Sequence, residues 1–192
     1  MDTMKITLVG LDGALVRAWQ SVFAEVEGVS VVEGDYFDHP ADAMVSPANS
    51  FGIMDGGIDR AICEQLGLGV QKALQRAIVE HHHGELPVGC AEVIETGDAR
   101  WKYLVAAPTM RIPESVAGTL NAYLAFRAAL LACAKHPITS LVCCGLATGI
   151  GRMEPMRCAT QMLVALRHVR GPARIPSFQQ IHAIHGALRT SG

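Results

Sequence analysis

The chain has 192 residues, half of them apolar and 18% charged, with a formal net charge of -2. A single domain of about 100–200 residues is the natural reading, and the apolar share supplies a core and excludes disorder. The near-neutral balance excludes a global basic field for nucleic acid, so a ligand phosphate would have to be met locally, by loops and helix starts.

Residues 4–10 (MKITLVG) read as a first strand, and residues 14–26 place Leu15, Ala18, Trp19, Val22 and Val26 at helical spacing. Val29 to Val32 reads as a second strand, ended by Gly34-Asp35, and residues 43–46 as a third. A glycine turn follows, then a helix over about 58–66 and a second helical piece, VQKALQRAIVEHH, after Gly67 and Gly69. Val88 to Glu95 suits an edge or hairpin strand, and residues 103–107 a central one ended by Pro108. Residues 116–135 form an alanine-rich helical stretch, capped by Ser115 or begun near Thr119. Ser140 to Cys144 is a further buried strand, running into a second glycine-rich loop, Gly145 to Gly151. Pro155 opens a helix to about residue 169, and a tail helix spans Phe178 to Leu188. Strands alternating with helices predict an α/β fold with a mostly parallel, helix-covered sheet, whose ligands bind at the carboxyl ends of strands.

The six cysteines form no CxxC pair and read as buried reduced thiols, so neither a metal site nor a disulfide framework is expected. His81-His82-His83 reads as a helix C-terminus, where cations are favoured, in preference to a metal tract. His182 and His185 share one helix face without a further ligand. The start, MDTMKITLVG, is too short and wrongly flanked for a signal peptide, and the apolar stretch 116–134 is broken by Asn121 and Arg127. A soluble cytoplasmic protein, with no membrane contact, is the expectation.

The chemistry concentrates in DAMVSPANSFGIMDGGIDRAI, residues 42–62. Strand, glycine turn and helix start is the arrangement that turns backbone N–H groups toward an anion. Gly56 and Gly57 permit close backbone approach, and Asn49 offers both a donor and an acceptor to a sugar hydroxyl. Asp59, ten residues on, is also placed simply to favour the helix dipole. The second loop is Gly-x-x-x-Gly-x-Gly, followed by Arg152; it is neither a P-loop nor a dinucleotide fingerprint. If the two parent strands are neighbours, the two loops meet over one ligand.

Together these loops resemble the macrodomain family, which binds ADP-ribose. The family's Asn-Ala-Ala-Asn, glycine run, hydrophobic residue and Asp are matched by Ser46-Pro47-Ala48-Asn49 and Gly56-Gly57-Ile58-Asp59, with the Asn-to-Asp spacing kept. Gly34-Asp35 matches the Gly-Asp that meets the adenine, and Thr148-Gly149-Ile150 the loop that holds the diphosphate. The resemblance covers the chain up to about residue 170, with Ser46 for the first Asn, Met54 and Asp55 for glycines, and Gly151 for an aromatic that packs on the distal ribose.

The resemblance implies a three-layer α/β/α fold with a mixed, mostly parallel central sheet over residues 1–170. Residues 171–192 would be an extension packed on or flanking that domain. It implies binding of ADP-ribose or an ADP-ribosylated protein, with no cofactor, no metal and no direct nucleic-acid partner. Asp35 would accept from the adenine amino group, with Tyr36 and Phe37 beside it either against the base or in the core. Gly56, Gly57 and Ile58, with Ala147, Thr148, Gly149, Ile150 and Gly151, would take the diphosphate; Arg111 either reaches the ligand's open end or faces solvent. Asn49 and Asp59 would be catalytic, Asp59 acting on a water near the anomeric carbon. The implied activity is hydrolysis of ADP-ribosyl esters, on mono-ADP-ribosylated protein or O-acetyl-ADP-ribose. The departures motivate the alternative of a non-catalytic ADP-ribose reader; a third reading is an α/β protein whose loops bind another nucleotide.

Overall fold

The computed structural model describes residues 4–190. In chain order the elements are β1 (Lys5–Gly10), α1 (Gly13–Phe23), β2 (Val29–Glu33), a 3-10 turn (Tyr36–Asp38), β3 (Ala41–Ser46), α2 (Gly57–Leu66), α3 (Gly69–His82), β4 (Glu92–Asp98), β5 (Trp101–Ala106), α4 (Asn121–Cys133), β6 (Ser140–Cys143), α5 (Pro155–Arg170) and α6 (Phe178–Thr190). The strands form one sheet in the order β2-β1-β6-β3-β5-β4. Every pairing is parallel except that of β4 with β5, so the sheet is mixed and mostly parallel, as the sequence implies.

The strands alternate their side chains between two cores, as a pleat of period two requires. Ile6, Leu8, Ala43, Val45, Leu141 and Cys143 face the core built with α1, α4 and α5. Val9, Met44, Leu104 and Val142 face the opposite core, built with α2, α3 and the 3-10 turn. Burial on both faces explains why these strands read as continuous apolar runs. The layers are therefore helix, sheet, helix. All six cysteines are free thiols; five are buried, and Cys90 is exposed.

Three boundaries differ from the sequence expectation, each for a tertiary reason. The stretch 116–135 is helical only from Asn121, because Val116 N donates to Gly151 O at 2.9 Å and is drawn into the second glycine loop. The expected strand at Val88–Glu95 begins only at Glu92: Cys90 N closes a turn onto Pro87 O, and Gly89 has φ +97°. It continues past Glu95 through an irregularity to Asp98, and it lies at one edge of the sheet, opposite β2. α1 stops at Phe23, and Gly28 turns the chain into β2 at φ +71°.

α6 packs on α5, with Leu188 buried and its carbonyl accepting from Gln161 Nε2 at 3.2 Å. No helix among the described residues is long and apolar enough to cross a membrane.

Candidate functional site

β3 and β6 are neighbours, and both carry their glycine loops from the same, carboxyl ends. Where a parallel sheet reverses its strand order, the loops on either side diverge and leave a crevice. Here the crevice is a cleft of about 520 Å³, and every site residue named from the sequence except Arg111 lines it. Asp35 and Tyr36 come from the turn after β2, Asn49 to Asp59 from the β3–α2 connection, and Ala147 to Gly151 from the β6–α5 connection.

Asp59 lies in the first turn of α2 but is not a solvated dipole partner: it is only 8% exposed. Ser46, fully buried at the end of β3, donates its hydroxyl to Asp59 Oδ1 at 2.6 Å and ties the helix start to the sheet. Burial, opposed in part by the Ser46 hydrogen bond, pushes the Asp59 carboxyl up to about 6. A carboxylate so placed can take a proton from water near neutral pH.

That shift has a stability consequence. The folded state holds the Asp59 proton more tightly than the unfolded chain, whose carboxyl titrates near 3.8. The native state is thus fully favoured below about pH 4, loses up to about 3 kcal/mol as pH rises to 6, and is level above that. Asp59→Asn keeps an acceptor for Ser46 and carries no charge. It is expected to be about 1–3 kcal/mol more stable than wild type at pH 7.5 and no more stable at pH 4, read by urea unfolding at both pH values.

The first helical hydrogen bond of α2 runs from Arg60 N to Gly56 O. The N–H groups of Gly57, Ile58 and Asp59 precede it, lack intrahelical acceptors and begin beside the cleft. Gly57 sits at φ +56° with open space around its α-carbon, so glycine is required there by backbone conformation and not by a close neighbour.

The second loop is tightly folded on itself. Met153 N donates to Ala147 O at 2.9 Å and Arg152 N to Gly149 O at 3.0 Å. Ala147 is held at φ +63°, a conformation that costs a non-glycine residue about 1–2 kcal/mol. Gly151 is the reason the loop can close: a Cβ there would collide with the Ala147 carbonyl oxygen and lie 2.8 Å from Val116 Cγ2. The aromatic that the family places at this position has no room in this backbone.

The remaining residues divide by role. Asn49 lies on the cleft, and its amide organises its own loop: Oδ1 accepts from Phe51 N and Ile53 N at 3.1 and 3.2 Å, and Nδ2 donates to Ile53 O at 2.7 Å. Asp35 caps the 3-10 turn, Oδ1 accepting from Phe37 N at 2.9 Å, and is otherwise exposed. Tyr36 borders the cleft, as expected of a residue beside Asp35, while its hydroxyl is buried in the sheet, bonded to Val45 and Val142. Phe37 also lines the cleft and packs edge-on to Trp101.

Arg111 is not among the lining residues. It makes a two-pronged ion pair with Glu85, at 2.8 and 3.0 Å, with its guanidinium over Phe51. His81 and His82 are likewise engaged, each contacting one oxygen of Glu92 on β4, at 3.2 and 2.9 Å. The bond from His82 joins the end of α3 to the edge strand; it is not a freely solvated terminus. His182 packs on Phe178 within α6.

The cleft also draws on residues the sequence reading does not reach. Gly10, Leu11 and Asp12 of the β1–α1 turn line it, as do Thr109, Met110 and Pro113 after β5. All follow the carboxyl ends of parallel strands, so the signal was the strand-end rule applied to β1 and β5 as well. The charge is one-sided: Asp12, Asp35, Asp55 and Asp59 are lining residues, and no Lys, Arg or His is.

Comparison with known proteins gives the family and the fold. A family model described as Macro domain matches residues 45–162. The chain is 31% identical over 139 residues to a protein of Aquifex aeolicus, described as uncharacterized, covering 72% of this chain and 81% of that one. Among solved structures it is similar to the macrodomain of Thermus aquaticus DarG, with a TM-score of 0.62 at 18% identity over 73% of this chain and 91% of that chain. It is also similar to Thermosipho africanus DarTG in complex with ADP-ribose, with a TM-score of 0.59 at 16% identity over 90% of this chain and 55% of that chain.

Proposed function

Since the chain belongs to the macro domain family, we propose that it binds ADP-ribose in this cleft and hydrolyses ADP-ribosyl esters, on mono-ADP-ribosylated protein or O-acetyl-ADP-ribose. The observation that carries the binding half is the convergence of both glycine loops and Asp35 on one cleft. The observation that carries the catalytic half is Asp59, buried in that cleft and held by the Ser46 hydroxyl, where burial pushes its carboxyl up to about 6.

In this reading Asp35 accepts from the adenine amino group with the carboxylate oxygen not used in capping. The N–H groups of Gly57 and Ile58 and those of Thr148 to Gly151 take the diphosphate, as helix starts and compact glycine turns do. Asn49 gives the distal ribose its second amide hydrogen. Asp59 orients a water toward the anomeric carbon and accepts its proton as the ester bond breaks. The bond from the anomeric carbon to the carboxylate oxygen breaks, and the products are ADP-ribose and a free carboxylate, with the proton on Asp59 until it passes to solvent. The free thiols fit a reducing, cytoplasmic setting.

The test is turnover of mono-ADP-ribosylated protein and of O-acetyl-ADP-ribose, beside calorimetry with ADP-ribose. Binding without turnover leaves the reader function, which the engagement of the Asn49 amide within its own loop favours. Absence of binding ends both readings.

A cleft that meets a dianionic ligand with backbone dipoles and four carboxylates has a distinctive salt response. Salt screens repulsion between ligand and carboxylates and leaves short N–H contacts largely intact. Affinity for ADP-ribose is therefore expected to hold or rise by up to about threefold between 20 and 300 mM NaCl, in calorimetry at fixed pH. A steep fall would reveal cationic side chains in the contact.

A further inference from the structure

The two loops that build the cleft leave the sheet from β3 and β6, so the gap between them is set where those strands part. On its β5 side β3 stays paired to its last residue, Ser46 opposite Ala106. On its β6 side the register stops two residues earlier, at Met44 opposite Val142, although β6 runs on to Cys143. A side chain is wedged into the last rung, between the Val45 N–H and the Val142 carbonyl. Tyr36 Oη accepts from Val45 N at 2.9 Å, and lies 2.8 Å from Val45 O and 3.1 Å from Val142 O. A phenol has one hydrogen, so it donates to one of those carbonyls at a time.

The chemistry of the insertion is mechanical. Paired strands run about 4.7–4.9 Å apart because one N–H···O bond joins them. A hydroxyl placed in series replaces one hydrogen bond with two, and the strands must separate to admit it. Tyr36 is fixed for this task by burial and by its edge-on contact with Phe37, ring centroids 5.6 Å apart. Burial also holds its hydroxyl protonated, so the donor is always present.

We infer that Tyr36 is a positioning residue whose hydroxyl spreads β3 from β6 and so sets the gap that a ligand spanning the 47–56 and 144–151 loops must bridge. The inference rests on the ADP-ribose reading of the cleft. Without the hydroxyl, the Val45 N–H is satisfied by donating directly to the Val142 carbonyl, which draws the strands together and narrows the cleft. A ligand that touches both loops loses affinity; a shorter one does not.

The experiment is calorimetry of wild type and Tyr36→Phe with ADP-ribose and with AMP, which has one phosphate and no distal ribose. Tyr36→Phe is expected to weaken ADP-ribose at least tenfold and AMP less than threefold. Equal loss for both ligands would mark Tyr36 as merely structural and overturn the inference, as would no loss for either. If wild type binds no ADP-ribose, the functional reading and this inference fall together, whereas a wild type that binds and a variant with an unchanged ratio sink the inference alone. Should Tyr36→Phe not fold, p-fluorophenylalanine at position 36 decides: it fills the hydroxyl's volume and keeps the strands apart, so it is expected to keep the wild-type ratio of the two affinities, and a tenfold fall in that ratio would overturn the inference.

Discussion

Replacing Asp59 with alanine is expected to lower turnover of ADP-ribosyl esters by about 10²–10⁴-fold, the range a positioned general base contributes, while ADP-ribose still binds. The expectation follows from placement. Asp59 borders the cleft, is almost wholly buried, and is fixed by Ser46 at 2.6 Å. Its protonation supplies a second readout. A base must be ionised to accept a proton, so wild-type kcat/KM is expected to rise with pH, pass its midpoint at about 6, and level off above. Asp59→Asn should lack both the activity and the inflection. Equal turnover by wild type and Asp59→Ala would remove Asp59 from the mechanism, even with the cleft occupied as proposed.

Gly151→Ala is expected to weaken ADP-ribose at least tenfold, and Gly151→Phe to abolish measurable binding. The added Cβ meets the Ala147 carbonyl and Val116 Cγ2, neither of which can move freely. The Ala147 carbonyl already accepts from Met153 N, and Val116 N is bonded to Gly151 O. The loop must open, and overpacking of this kind typically costs about 1–3 kcal/mol. Gly118→Ala, before α4 and outside the cleft lining, is the control: nothing lies within 4 Å of its added Cβ, and its φ is not positive. It should bind like wild type. Calorimetry gives the affinities, and circular dichroism shows that each variant is folded. Wild-type affinity in Gly151→Ala would show that the loop's closure does not shape the site.

These two expectations draw on different kinds of information. The Asn49–Asp59 spacing, the glycine turns and the strand–helix alternation were legible because they are local. Periodicity, turn residues and helix starts depend on neighbours a few positions away, and they placed β1, β2, β3, β6, α2, α3 and α5 within a few residues of where they lie. The helix-covered, mostly parallel sheet followed from the same alternation, and the three-layer form from the family resemblance. Element ends were less legible where a distant partner decided them, as Gly151 does for the segment before α4.

Three features required the assembled fold. Only the sheet order makes β3 and β6 neighbours, although they lie about a hundred residues apart in the chain, and so joins two weak glycine patterns into one cleft. Only burial turns Asp59 from a dipole partner into a group titrating near neutrality, because desolvation depends on everything packed around it. Only tertiary contact shows that Gly151 marks a place with no room for a side chain, that the Tyr36 hydroxyl stands between two strands, and that Arg111 is spent on Glu85. The sequence by itself determined which backbone elements form and which polar residues stand at their carboxyl ends, since those depend on short-range sterics and hydrogen bonding. The tertiary structure alone decided which of those ends meet, how dry they are and how far apart they are held, since proximity and desolvation are properties of the packed chain.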